Sequence, residues 1–339
     1  MLRSLSYLLI ALIVNVTMIA KVFSQNLLGS EGVAATPSHV VNHPVKQRLT
    51  VGLALGGGGT RGAAHIGVLR VLEQEGIPID YIAGTSMGAI VGGLYSAGLS
   101  IDAIEKKFTD RSLMRAFMTV PLSVRLMASP ILILPRMLGR HPYDGLYRGN
   151  RFRRYINNAV PECDRKVEEL KKPFCAVAVN LVDGNVCSIC KGNLGYALQA
   201  SSAVPELRKP VQIEDKLFVD GGVLANLPVK QVRQMGADIV IAVDVDERLR
   251  AVPLDTFRAM GSVSKRLVTV QLATIDEPQA TNADIVIHPD VDGIGLISTK
   301  LIDAKKALAA GEKAAREAMS SIRAKVTDLG LVGAYKGEK

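Results

Sequence analysis

Tryptophan is absent from this 339-residue chain, and Phe, Tyr and Trp together make up only 4% of it. Modules that hold single strands of nucleic acid stack bases on aromatic rings, so the composition argues against nucleic acid as a partner. Histidine is scarce too, with only His39, His43, His65, His141 and His288. A histidine-based catalytic site has few residues to draw on. The four cysteines are Cys163, Cys175, Cys187 and Cys190. Within one strand, residues three apart such as Cys187 and Cys190 face opposite ways at roughly 10 Å, beyond disulfide reach. A lone Cys-x-x-Cys also lacks the four ligands of a structural zinc. The cysteines are therefore expected as buried free thiols, and no metal is implied. No internal repeat is visible.

What the chain does have begins with MLRSLSYLLIALIVNVTMIAKVFS at 1–24, in which Arg3 precedes an apolar run from Leu5 to Ala20. That run is shorter than the roughly 20 residues that span a bilayer, so a cleaved export signal is expected over a retained anchor. No cysteine lies near it, which argues against a lipoprotein signal. Cleavage would take the formal charge from +9 to +7, because the segment holds two basic residues and no acid. A basic exported protein is drawn to anionic lipid surfaces as readily as to nucleic acid. Residues 25–47 are small and polar, without period, and read as a linker. One large α/β domain is expected over 48–323, with a tail at 324–339.

From Arg48 the pattern changes. RLTVGLAL is too short for a helix and runs into Gly56-Gly57-Gly58-Gly59-Thr60-Arg61-Gly62, then into helical AAHIGVLRVLEQEG. Such a loop turns backbone N–H groups outward at a helix N-terminus, where an anion is stabilised. Gly57, Gly59 and Gly62 also fit a dinucleotide-binding turn. The acid that should close the next strand instead opens it, as Asp80, and no Lys-Ser or Lys-Thr follows the last glycine as a phosphate loop requires. What remains is a donor-rich loop of the kind an oxyanion hole uses.

The next strand, Asp80 to Ala83, gives way through Gly84-Thr85-Ser86-Met87-Gly88 to a helical run from Met87 to Ala97. A serine is a poor nucleophile unless a sharp strand-to-helix turn holds out its hydroxyl, and flanking glycines relieve the crowding of that turn. Ser86 is the candidate nucleophile. For its base, two residues compete. Ser86, Asp220 and His288 follow the chain order of an α/β-hydrolase triad. Asp220 could also act alone, since Gly221-Gly222 leaves its backbone free to approach the turn and a dry site raises a carboxylate's basicity. His65, in the first turns of the helix after the glycine loop, reads as a packing residue.

Between Arg111 and Arg154 lie nine arginines and one acid, Asp144, interleaved with apolar segments broken by Pro121, Pro130 and Pro135. Segment 111–154 reads either as a covering layer with solvated arginines or as a lid that meets lipid, Met and Leu inserting and Arg holding headgroups. Beyond it, PFCAVAVNLV, VCSIC, KLFVDGG, ADIVIAVDV and ADIVIHPDV are strands, several of them continuous apolar runs as in a sheet covered on both faces.

Four motifs in this order, GGGGTRG, GTSMG, ASSAVP at 200–205 and DGGVLANLP at 220–228, resemble those of the patatin-like phospholipase family, specifically its bacterial members. The resemblance runs from about Leu49 to Ala318. It implies a three-layer α/β/α sandwich with a mainly parallel sheet, and a Ser-Asp dyad without histidine. Ser86 is then the nucleophile and Asp220 the base. The loop Gly57, Gly58, Gly59, Arg61 and Gly62 is the oxyanion hole, and Gly84, Gly88, Gly221 and Gly222 complete the motifs. No cofactor is implied, and the partner is a phospholipid or other acyl-ester lipid, met at a membrane surface. A lipid-binding or scaffold protein that keeps this fold with little turnover is the alternative. One stretch departs from the family, which continues after ASSAVP with Gly and apolar residues. Here the chain reads Glu206-Leu207-Arg208-Lys209-Pro210.

Overall fold

The computed structural model describes residues 49–119 and 143–327. The expected signal at 1–24, the linker at 25–47, the centre of the basic segment at 120–142 and residues 328–339 of the tail lie outside the described residues. The strands are β1 (Val51–Leu55), β2 (Tyr81–Thr85), β3 (Phe174–Asn180), β4 (Val186–Ile189), β5 (Val211–Ile213), β6 (Lys216–Asp220), β7 (Ile239–Val243) and β8 (Ile285–Ile287). The helices are α1 (Ala64–Gln74), α2 (Met87–Ser96), α3 (Ile101–Thr109), α4 (Ser112–Phe117), α5 (Asn150–Ala159), α6 (Leu194–Ser201), α7 (Val229–Gln234), α8 (Ser262–Thr281) and α9 (Leu301–Thr327).

One eight-stranded sheet runs in the order β5-β6-β3-β2-β1-β7-β8, with β4 paired to β3. The five strands β3, β2, β1, β7 and β8 are mutually parallel. β4 and β6 run antiparallel to β3, and β5 antiparallel to β6. The alternation of a strand sends Val51, Leu53 and Leu55 of β1 into one core, together with Ile82, Ile241 and Val243 and the apolar faces of α1, α2 and α9. The opposite face is made of smaller residues, Ala54, Ala83 and Ala242, which pack against Val229 and Val232 of α7. The sheet therefore has helices on both faces, the α/β sandwich expected from its apolar strands. α9 continues to Thr327 with Val326 buried, so the domain extends past 323 and the first residues of the expected tail are helical.

Register explains how the site is assembled. Val177 of β3 pairs with Thr85 of β2 on one side and with Ser188 of β4 on the other. One residue further, Ala178 pairs with Cys187 of β4 and with Asp220 of β6. β4 thus occupies one edge of β3, while β2 and β6 share the other in succession. The end of β2 and the end of β6, the two strands that lead to Ser86 and carry Asp220, meet there.

The same register corrects the cysteine assignment. Cys175 and Cys190 lie opposite each other across the β3–β4 hairpin and form a disulfide with Cα atoms 4.3 Å apart. An antiparallel pairing brings residues 15 apart into bonding distance, whereas Cys187 and Cys190 along one strand stay separate. Cys163 and Cys187 are free.

The described residues fall into two units, 49–248 with 272–327, and Leu249–Gln271. The second holds a 3-10 turn at Leu254–Arg258 and the start of α8, and its Leu254 and Met260 are exposed. Among the described residues no helix is long and apolar enough to cross a membrane.

Candidate active site

Ser86 sits at the turn between β2 and α2 with φ 53° and ψ −117°. A non-glycine residue held there costs of order 1–3 kcal/mol, which the surrounding packing has to hold in place. That packing is tight. A Cβ on Gly88 would lie 2.2 Å from Leu55 O, so only glycine lets the first turn of α2 ride against the end of β1. The Ser86 N–H donates to Ser201 Oγ at 3.0 Å, and Ser201 Oγ–H donates in turn to Val177 O at 2.6 Å. The turn is thereby tied to α6 and to β3.

Ser86 Oγ–H donates to Asp220 Oδ2 at 2.6 Å. The other carboxylate oxygen, Oδ1, accepts the Gly222 N–H at 2.8 Å. A side chain on Gly221 would meet Val177 O at 2.4 Å, so the Asp220-Gly221-Gly222 turn lies hard against β3. Asp220 is 5% exposed, and burial pushes its pKa up to about 6 against the opposing pull of Ser86, Gly222 and Arg208. The carboxylate is therefore a stronger base than one in water and still ionised at neutral pH.

The glycine loop lies beside this pair. An ideal Cβ on Gly57 would be 3.3 Å from Ser86 Cβ and 2.3 Å from Asn226 Oδ1. The Gly57 N–H donates to Asn226 O, that of Thr60 to Leu296 O and that of Arg61 to Gly58 O, while those of Gly58 and Gly59 have no acceptor among the described residues. Of the five residues assigned to an oxyanion hole, these two retain amides for the purpose. Gly62 packs its Cα against Met87. Arg61 requires a correction, because its guanidinium is 3% exposed and turned to Ile294 O (2.7 Å) and Glu247 (2.9 Å). A buried cation takes the partners that offset its desolvation, and here they lie behind the loop.

Neither described histidine joins the pair. His288 Nδ1 lies 3.0 Å from Asp244 Oδ2, not near Asp220. His65 is fully buried with Nε2 at 2.8 Å from Gly56 O, and burial lowers its pKa to about 4. Neutral at physiological pH, it braces the loop from below.

Sequence reasoning missed a buried brace behind Asn226. Asp244, Asp246 and Asp276 bring carboxylate oxygens within 4.8 Å of one another. Asn226 Nδ2 donates to Asp246 and to Asp276, each at 2.8 Å, and Asp276 also accepts the Leu227 N–H at 2.8 Å. Burial, followed by the neighbouring carboxylates, pushes Asp246 upward. Burial and Asp244 do the same to Asp276. The group fixes the chain that follows Asp220, and through Asn226 O it fixes the Gly57 amide.

The chain is thus an α/β fold that holds a serine on a strained strand-to-helix turn, with a carboxylate on its hydroxyl and free loop amides alongside. More narrowly, residues 53–233 match the patatin-like phospholipase family, and the chain belongs to that family. An uncharacterized NTE family protein of Mycobacterium tuberculosis is 34% identical over 198 residues, covering 58% of this chain and 49% of that protein. A lysophospholipase NTE1 of Mycosarcoma maydis is 34% identical over 200 residues, 58% of this chain and 10% of its own length. The chain thus spans about half or less of these relatives. Among solved structures, VipD from Legionella pneumophila aligns with a TM-score of 0.47 at 14% identity, over 81% of this chain and 67% of that one.

Proposed function

We propose that this protein is a serine acyl hydrolase of lipid esters, of phospholipase A or lysophospholipase type, working through a Ser86–Asp220 dyad. The observation that carries the reading is the 2.6 Å contact between Ser86 Oγ and a buried carboxylate. Asp220 takes the Ser86 proton as Oγ attacks the ester carbonyl. The Gly58 and Gly59 amides hold the oxyanion, and such donors are typically worth a hundredfold or more in rate. Collapse of the tetrahedral intermediate expels the alcohol, which takes the proton from Asp220 and leaves an acyl-serine. A water that gives its proton to Asp220 then attacks the acyl carbon, the fatty acid departs, and Ser86 regains its proton.

The test is labelling with a fluorophosphonate probe in the presence of a chelator, beside turnover of a soluble acyl ester. Wild type should label and turn over, and Ser86→Ala should do neither. Loss of reaction on chelation would contradict a dyad that needs no metal. Work at an exported, anionic lipid surface belongs to the same proposal. The Cys175–Cys190 disulfide, suited to an oxidising compartment, and the basic charge of the chain favour it.

A further inference from the structure

The Glu206-to-Lys209 departure places an unusual group beside the dyad. Leu207 and Arg208 run alongside Tyr147, with Tyr147 N–H donating to Leu207 O at 3.0 Å and Lys209 N–H to Tyr147 O at 2.9 Å. From this strap the Arg208 side chain turns inward and is 1% exposed. Its guanidinium lies over two rings, 4.2 Å from the Phe117 centroid and 4.8 Å from that of Phe152. Both terminal nitrogens, Nη1 and Nη2, are without a hydrogen-bond partner among the described residues. The carboxylate that acts on it is that of Asp220, and burial pushes its pKa down to about 9.

A buried cation with unused N–H groups is costly, and ring faces repay only part of the loss of water. Arginine's planar fork matches the paired oxygens of a phosphate. The surroundings add a second unmatched group. Gln199, 4% exposed, donates Nε2 to Arg148 O at 3.0 Å, while its Oε1 has no donor among the described residues. Both side chains close on the bare Cα of Gly149, since a Cβ there would lie 2.4 Å from Arg208 Nη2 and 2.6 Å from Gln199 Nε2. Unused donors beside an unused acceptor complement a phosphate ester that carries a free hydroxyl close by.

Resting on the acyl-hydrolase reading, we propose that Arg208 receives the phosphate of a lysophospholipid whose acyl ester lies at Ser86, with Gln199 Oε1 accepting from the free glycerol hydroxyl. The enzyme then selects phosphate-bearing acyl glycerols over neutral ones, and Arg208 is its specificity residue. The stretch that departs from the family pattern is the stretch that supplies it.

The test compares lysophosphatidate with monoacylglycerol of the same short chain, both below their micellar concentrations, in wild type, Arg208→Met and Arg208→Lys. Wild type should favour the phosphate ester in kcat/KM by about 100-fold, a bidentate charged contact being worth a few factors of ten. Arg208→Met, which keeps the packing between the two rings, should abolish that preference while leaving the neutral ester within about threefold. Arg208→Lys should restore part of it. Binding to Ser86→Ala protein gives the same comparison without turnover, so a failed hydrolase reading and a failed Arg208 assignment are told apart. An equal loss on both esters with a displaced acid limb would mean that Arg208 acts through Asp220, and would overturn the proposal. So would an unchanged preference in Arg208→Met. Inorganic phosphate binding as tightly as the lysolipid, and equally dependent on Arg208, would make this a free-phosphate site and overturn the lipid assignment.

Discussion

Asp220, the base in the proposed dyad, should make the protein less stable than it could be, and the amount can be worked from the site. Asp220 has an ordinary carboxylate value of 3.8 and a folded value of about 6. Below pH 3.8 the carboxyl is protonated in folded and unfolded chains alike and its burial costs little. As pH rises through 6 the unfolded chain has already released its proton and the folded chain must ionise a buried group, so stability is lost. At 1.36 kcal/mol per pH unit, the rise corresponds to about 3 kcal/mol, an upper bound reached above pH 7. Asp220→Asn removes the charge and keeps the contacts, with Oδ1 still accepting from Gly222 N–H and Nδ2 donating to Ser86 Oγ. The variant should therefore gain up to about 3 kcal/mol over wild type between pH 4 and pH 8, several degrees in Tm for a domain of this size. It should lose at least a hundredfold in kcat/KM, the usual scale for a general base. Wild-type kcat/KM should fall below an acid limb near pH 6. Urea unfolding of both proteins at the two pH values, with a pH–rate profile on a soluble ester, makes the measurement. A stability difference that does not change with pH, or an acid limb near 4, would refute the account of Asp220 as a desolvated base.

His288→Ala should cost less than about tenfold in kcat/KM, because its partner is Asp244; a loss near a thousandfold would restore the triad. Non-reducing denaturation should expose two titratable thiols, Cys163 and Cys187. Replacing Cys175 and Cys190 by Ala should lower stability by about 3 kcal/mol, from the chain entropy of a loop of about 15 residues, as read by urea unfolding. In liposome sedimentation, changing Arg111, Arg115, Arg125 and Arg136 to Gln should weaken binding to anionic vesicles at low salt. Equal sedimentation of wild type and variant would leave these arginines as a solvated face.

What could be read from the chain was local. The strand, glycine loop and helix at 51–74 and the Gly84-to-Gly88 turn are each set by a few neighbouring residues whose backbone demands show in their letters. Asp220 was one of two bases on the residues alone, and resemblance to a family separated them. What escaped depends on partners distant in sequence. Ser201 reads as an ordinary helix residue until β3 and α6 bring it under the Ser86 amide. Asp246, in the loop after β7, and Asp276, in α8, are far apart in sequence and meet only at Asn226 and at each other in the fold. Arg61 carried a loop's reputation, but its side chain obeys burial. The disulfide had no such signal, for counting outward from Asp183-Gly184 would set Cys175 opposite Gly192, whereas the β3–β4 register is centred between Val182 and Asp183 and sets Cys175 opposite Cys190.

The shared edge of β3 has a consequence for how such a protein can change. The Ser86–Asp220 spacing is set by one step of a backbone ladder, from Val177 facing Thr85 to Ala178 facing Asp220. Everything threaded between β3 and β6, including β4, α6 and the Arg208 strap, is an excursion that leaves and returns to the same rung. Such an excursion can be lengthened or recast in sequence while the catalytic distance stays fixed, provided its return keeps register. A slip of two residues in β6 would carry Asp220 about 7 Å along the strand and silence the serine. Tolerance for recast excursions and intolerance for misregister are thus properties of a single strand, and grafting a relative's 181–215 region onto this sheet, with Ser201 kept under the Ser86 amide, is the natural way to move specificity without moving the serine or its carboxylate.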